Sequence, residues 1–190
     1  LNLKVSQSHA KFPMIFHELS SKKSELIFED DKVSVKTIPL DHRVYTNGYL
    51  FTEKPKPKNL NLENIHNYSE IGRADYLNIK AGKDYKLSNG KIIPNSELTL
   101  PPKKLLSFAF CSDTTYKPDN ISIIKNVDLL YHEATFLDDR RDLAIKTKHS
   151  TTIQAALIAK ESNVKKLIIG HYSGRYKEVS DFKEEAQTVF

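Results

Sequence analysis

Three polar pairs and one lone histidine stand at or just beyond the ends of short apolar runs: Asp41-His42, Ser112-Asp113, His132-Glu133 and His171. Chain ends gathered at one edge of a sheet can converge on a site. Histidine and aspartate suit Zn²⁺, and a hydrolytic zinc site uses such ligands while leaving room for water. Each residue also has a plain structural reading. A strand-end histidine is often a hydrogen-bonded structural residue, and Asp113 ahead of Thr114-Thr115 is placed to cap a turn. Glu133 could form a strand-end salt bridge. His149, just before Ser150, could decorate a helix start. His9, His17 and His66 fit no pattern.

The elements that must position these residues follow from periodicity. From Met14 to Leu40 apolar and polar residues alternate around Glu29-Asp30-Asp31, which predicts a β-hairpin or meander. Another strand is expected at Gly48 to Phe51. Residues 52–100 then carry Pro55, Pro57 and many Asn and Lys with few sustained apolar patterns, and read as a protruding insertion. After Pro101-Pro102 the pattern turns α/β, with strands at Lys104–Phe110 and Val127–His132 and a short helix near Asp119–Lys125. Thr151 and Gln154 have capping-box spacing before a helix whose Ile153, Ala156 and Leu157 share a face. A strand at Leu167–Gly170 and a polar helix from about Val179 complete the chain. The domain expectation is therefore one unit from 1–51 and 101–190, interrupted by 52–100.

Composition narrows the function classes. The chain has 190 residues, 39% of them hydrophobic, and no apolar span long enough for a membrane helix. Its single cysteine, Cys111, excludes an internal disulfide and fits a reducing, cytoplasmic setting. The formal charge of +5 and pI near 9.1 suit a polyanion such as RNA. Leu1 opens the sequence with neither Met nor a signal peptide, so a cleavage or cloning boundary is expected there.

Four segments, in order, carry a resemblance: PLDHRVYTNGYLF from Pro39, CSDTTY from Cys111, YHEATF from Tyr131, and HSTT at His149 leading to GHYSGRY from Gly170. From roughly Glu25 to the C-terminus the chain resembles ribonuclease Z, the tRNA 3′-processing endonuclease of the metallo-β-lactamase superfamily. The resemblance implies an α/β (α+β) fold, the C-terminal half of an αββα sandwich with a mixed sheet and helices on its outer face. It makes His42 a ligand of one zinc, Asp113 a carboxylate bridging two, and His171 a ligand of the second. Two cations held close together acidify a shared water. Glu133 and His149 become the pair that contacts the scissile phosphate and protonates the departing 3′ oxygen, with His132 packing beside them.

The resemblance further implies a homodimer in which residues 52–100 of one subunit grip precursor tRNA for the other. The basic residues of that stretch include Lys54, Lys56 and Lys58, but six acidic residues oppose them, and a solvated mixed-charge loop is an equal reading. The family's Gly-Pro pair is absent; Ile71-Gly72-Arg73-Ala74-Asp75 stands there. Lys103, Lys104 and Arg175 are expected nearer the scissile phosphate. The family's His-x-His-x-Asp-His motif is missing from these 190 residues. Two zincs per subunit are implied for a complete protein, with weak or no binding and no activity in this chain alone. A metallo-β-lactamase-fold phosphodiesterase or sulfatase acting on small esters is the alternative enzyme. A non-catalytic tRNA-binding or dimerisation fragment is the alternative outside enzymes.

Overall fold

The computed structural model describes Pro13 and residues 15–190; Met14, where the first hairpin was expected to begin, and His9 lie outside the described residues. The chain builds a six-stranded mixed sheet from β1 (Leu26–Glu29), β2 (Val33–Pro39), β3 (Asn47–Glu53), β6 (Ser107–Cys111), β7 (Leu129–Glu133) and β8 (Leu167–Gly170), in the spatial order β1-β2-β3-β6-β7-β8. The pairings of β1 with β2, β2 with β3 and β3 with β6 are antiparallel, while β6 with β7 and β7 with β8 are parallel. Hence β2 runs in the same direction as β6, β7 and β8, and these four strands deliver their C-terminal ends to one edge.

Period-2 alternation decides which side is covered. Ile38, Ala109, Cys111 and Leu130 face one side and pack against Ile158, Ala159 and Val164, the first two from helix α5 (Thr152–Glu161). Burial pushes the Cys111 thiol up to about 12. Helix α6 (Ser180–Gln187) docks Phe182 onto Ala155, with the Tyr172 ring 4.4 Å and the Tyr176 ring 4.9 Å away. The other side carries Tyr49, Phe51, Phe108, Phe110, Tyr131 and Ile168 in register. Phe110 stacks on Tyr131 at 4.8 Å, while Ile168 and Phe51 are exposed. Helices thus lie on one face of a mixed sheet, as expected.

The capping box before α5 forms as the spacing predicts: Gln154 N donates to Thr151 Oγ1 and Thr151 N to Gln154 Oε1. Other boundaries moved. Strand β6 begins three residues later than Lys104, because the Glu53 carboxylate takes the Leu106 N–H. The helix expected near Asp119–Lys125 is a 3₁₀ turn over Pro118–Ser122, ended before Asn126 in the left-handed conformation. A helix that periodicity missed, α4 (Arg141–Thr147), precedes His149.

The stretch after β3 is folded. Short helices α1 (Leu62–Ile65), α2 (Tyr76–Lys80) and α3 (Asn95–Leu98) and a ribbon of β4 (Tyr85–Lys86) with β5 (Ile92–Ile93) surround Ile65, Ile71, Ile79, Ile93 and Leu98. This cluster is separate from the sheet's core. Its apolar residues come singly from short pieces, so no periodicity announced them. Among the described residues, no helix is long and apolar enough to cross a membrane.

Candidate metal and catalytic site

Each co-directional strand supplies one member of the site. His42 follows β2, Asp113 follows β6, Glu133 ends β7 and His171 follows β8, while His149 enters from the loop between α4 and α5. Asp113 sits between two imidazoles, with Oδ2 3.9 Å from His42 Nε2 and Oδ1 3.3 Å from His171 Nε2. The His149 ring lies 4.9 Å from that of His42 and 5.2 Å from that of His171. Ligand atoms of His42, Asp113 and His149 fall within 4.8 Å of one another, as do those of Glu133, His149 and His171.

Hydrogen bonds fix the tautomers. His42 Nδ1 is 2.9 Å from the Lys148 carbonyl, which can only accept, so Nδ1 carries the proton and Nε2 presents its lone pair towards Asp113. Lys148 holds a left-handed backbone (φ +61°) and reaches both Asp41 oxygens at 3.0 and 3.1 Å, tying the segment before His149 to the one before His42. His149 Nδ1 donates to Glu133 Oε1 at 2.9 Å and likewise keeps Nε2 for the site.

Glu133 is the hub. It is fully buried and accepts five hydrogen bonds: Thr114 N, Ser150 N and His149 Nδ1 on Oε1, and Thr135 N and Thr135 Oγ1 on Oε2. A buried carboxylate requires such partners. His132, behind it, is buried; burial holds its imidazole below the usual range, and Nδ1 donates to the Glu133 carbonyl. That is the geometry of a structural histidine.

The donor set of His42, Asp113 and His171 fits zinc: two imidazole lone pairs flank a carboxylate with one oxygen towards each. Comparison with known proteins points the same way. A ribonuclease Z from Porphyromonas gingivalis strain W83 is 47% identical over 174 residues, covering 92% of this chain, and one from Cytophaga hutchinsonii is 41% identical over 191 aligned positions, covering all of it. Over most of its length the chain is similar to these ribonucleases Z. It spans 57% and 60% of those two curated relatives. No family model matches the chain. Among solved structures, the metallo-β-lactamase-fold protein YhfI from Bacillus subtilis superimposes with a TM-score of 0.55 at 16% identity, covering 87% of this chain and 46% of that one. The short form of human tRNase Z gives 0.51 at 24% identity, covering 83% and 43%. These likenesses show the metallo-β-lactamase fold.

The basic residues expected to face substrate are scattered. Lys54 pairs with Glu29 at 3.3 Å, Lys56 with Glu53 at 3.8 Å, and Lys58 Nζ donates to Asn95 Oδ1 at 2.6 Å. Lys104 is taken up by Asp128. Lys56, Lys58, Lys103 and Lys104 line a groove of about 690 Å³ at the root of the 52–100 stretch, away from the histidines. Arg175 is exposed four residues past His171. Sequence reasoning missed Arg43 and Lys117, which line a cavity of about 360 Å³ that begins at His42. It also missed Thr114, Thr135 and Ser150, whose only signal was their place inside the CSDTTY, YHEATF and HSTT segments.

Proposed function

We propose that this chain is part of a zinc-dependent endoribonuclease that removes the 3′ trailer of precursor tRNA and leaves a 3′ hydroxyl on the tRNA. The observation that carries the reading is the Asp113 carboxylate, one oxygen towards His42 Nε2 and the other towards His171 Nε2, with the Glu133–His149 pair beside it. Bound at those residues, zinc supplies Lewis acidity and a water-derived nucleophile at neutral pH.

The chain's own residues account for the departure. Water adds to phosphorus, the bond from phosphorus to the 3′ oxygen breaks, and that oxygen needs a proton. His149 presents Nε2 to the site, and its Nδ1 hydrogen bond to the Glu133 carboxylate orients the ring to deliver a proton from Nε2. After transfer His149 keeps the Nδ1 proton and the same hydrogen bond. His42 and Asp113 would hold one zinc and Asp113 and His171 the other, two ligands for each and fewer than a tight site has. Further ligands would come from a chain of the relatives' length, and the 190 residues alone would be inactive. A second layer of that longer chain would cover the apolar sheet face of Phe51, Phe108 and Ile168. Residues 52–100 act as the substrate-gripping arm of a cytoplasmic homodimer, each arm serving the other subunit's site.

The test is cleavage of a 3′-extended precursor tRNA by a chain extended to its relatives' length, with Asp113→Ala and a chelator as controls. A cut after the discriminator nucleotide, abolished by both controls, supports the reading. A folded, zinc-loaded protein that spares the precursor but cleaves a chromogenic phosphodiester overturns it in favour of a small-ester hydrolase. Metal-independent tRNA binding without cleavage favours a binding module.

A further inference from the structure

We infer that Thr135 is a positioning residue for His171: its hydroxyl, anchored on Glu133, sets which imidazole nitrogen faces the metal. The inference rests on the reading of the site given above, and the observation behind it is independent of tRNA. The His171 side chain is 45% exposed and its backbone is left-handed at φ +67°, so neither close packing nor ordinary strand geometry orients the ring. Asp113 Oδ1 stands 3.3 Å from Nε2 and the His149 ring 5.2 Å away, and the contact on Nδ1 is Thr135 Oγ1 at 2.8 Å.

The direction of that hydrogen bond follows from proton counting. Thr135 Oγ1 has one hydrogen and lies 2.8 Å from Glu133 Oε2. Were that hydrogen given to His171, two oxygen acceptors would face each other without a proton between them, inside a buried site. The hydroxyl therefore donates to Glu133 and accepts from His171 Nδ1–H, which leaves the Nε2 lone pair 3.3 Å from Asp113 Oδ1. Thr135 is itself immobilised, because its N–H donates to the same Glu133 oxygen at 2.9 Å and its carbonyl accepts from Ser173 N at 2.9 Å.

Metal-ligating histidines usually give their second N–H to a carboxylate or carbonyl, and losing that acceptor weakens metal binding. His42 uses the Lys148 carbonyl directly. His171 reaches a carboxylate only through the Thr135 hydroxyl, and that same carboxylate holds His149 on its other oxygen. Glu133 thus steadies a metal ligand and the proton donor at once, through separable links. Removing the hydroxyl releases His171 and spares His149.

The experiment compares the wild-type chain with Thr135→Val and Thr135→Ser by ¹⁵N NMR of the imidazoles at a pH where they are neutral. Wild type and Thr135→Ser are expected to show His171 as the Nδ1–H tautomer. Thr135→Val, equal in shape, should show a mixture at His171 with His42 and His149 unchanged, the unchanged pair certifying the fold. In the chain extended to its relatives' length, zinc affinity by chelator competition should fall about 10- to 100-fold in Thr135→Val and recover in Thr135→Ser. A Thr135→Val chain with the wild-type His171 tautomer overturns the inference, as does a Thr135→Ser chain that behaves like Thr135→Val. The tautomer decides the matter whether or not the chain retains zinc. Failure to cleave precursor tRNA would overturn the functional reading and leave the tautomer result standing.

Discussion

Glu133 Oε1 and His149 Nδ1 lie 2.9 Å apart, and the same oxygen also accepts the Thr114 and Ser150 N–H groups. On the proposed function the carboxylate serves the fold and the chemistry together, and the two contributions separate by substitution. In Glu133→Gln an amide nitrogen faces two or three donors that lose their acceptor. At about 1–3 kcal/mol for each buried group left unsatisfied, the loss of stability is roughly 2–9 kcal/mol. His149→Ala leaves the other four bonds to Glu133 intact, so urea unfolding should register far less change. Cleavage by the full-length protein should still fall by about 10²- to 10⁴-fold, the usual contribution of a positioned acid. Equal destabilisation by both variants would contradict the hub.

Two glycines set how close backbone and ring approach the site edge. A Cβ on Gly48 would stand 2.3 Å from the Phe110 carbonyl oxygen, a backbone atom of the paired strand β6 that moves only with its strand. A Cβ on Gly170 would meet Tyr131 Oη at 2.6 Å, the far end of a side chain. Gly48→Ala should therefore cost about 1–3 kcal/mol, and Gly170→Ala less. Thermal melts of the two variants check the order, and a reversed order would show that strand β6 yields more readily than the Tyr131 ring.

What the sequence disclosed was one-dimensional. Apolar runs closed by a polar residue marked the strand ends, so His42, Asp113, Glu133 and His171 could be named, and Leu167–Gly170 was bounded as it folds. The Thr151–Gln154 box was readable because a cap acts over three residues. Thr135 was not legible, since its role depends on Glu133 and His171 approaching from different strands, and a hydroxyl has no pattern of its own. Lys148 was hidden for a similar reason: its carbonyl, common to every residue, orients His42. In the 52–100 stretch Ile65, Ile71, Ile79 and Ile93 stand too far apart to show a period, and only the tertiary structure collects them.

Asp128 predicts a pH dependence of stability. Its carboxylate accepts from Lys104, from Lys165 at 2.8 Å, and from Ser107 N at 2.9 Å, tying the starts of β6 and β7. The Lys104 bond, then the Lys165 bond, hold its carboxyl far below the usual carboxylate range. A depressed folded pKa stabilises the fold above the unfolded value of about 3.9, and the contribution fades as pH falls from there towards the folded value. Asp128→Asn should lower the urea midpoint at pH 7, and its gap from wild type should narrow below about pH 4. A gap that stays constant to pH 3 would show that the ion pairs add nothing.

Asn95 tests whether the 52–100 stretch is a folding unit of its own. The side chain is buried and its amide donates to the Ile79 carbonyl at 2.7 Å and the Lys83 carbonyl at 2.9 Å. Its Oδ1 accepts from Lys58 Nζ at 2.6 Å, and its backbone N–H donates to Asp84 at 2.7 Å. One residue thereby joins the stalk, the end of α2, the ribbon and α3. Asn95→Ala keeps the backbone bond and strands the two carbonyls and the ammonium. Water can reach the ammonium but not the Ile79 carbonyl, whose bond is buried, so the cost should be about 1–3 kcal/mol. Because the Ile65–Leu98 cluster shares no residue with the sheet's core, that cost should appear locally. Hydrogen exchange is expected to accelerate across 60–99 and to stay at wild-type rates in β6, β7 and β8. Acceleration in the sheet as well would mean that the two clusters fold as one.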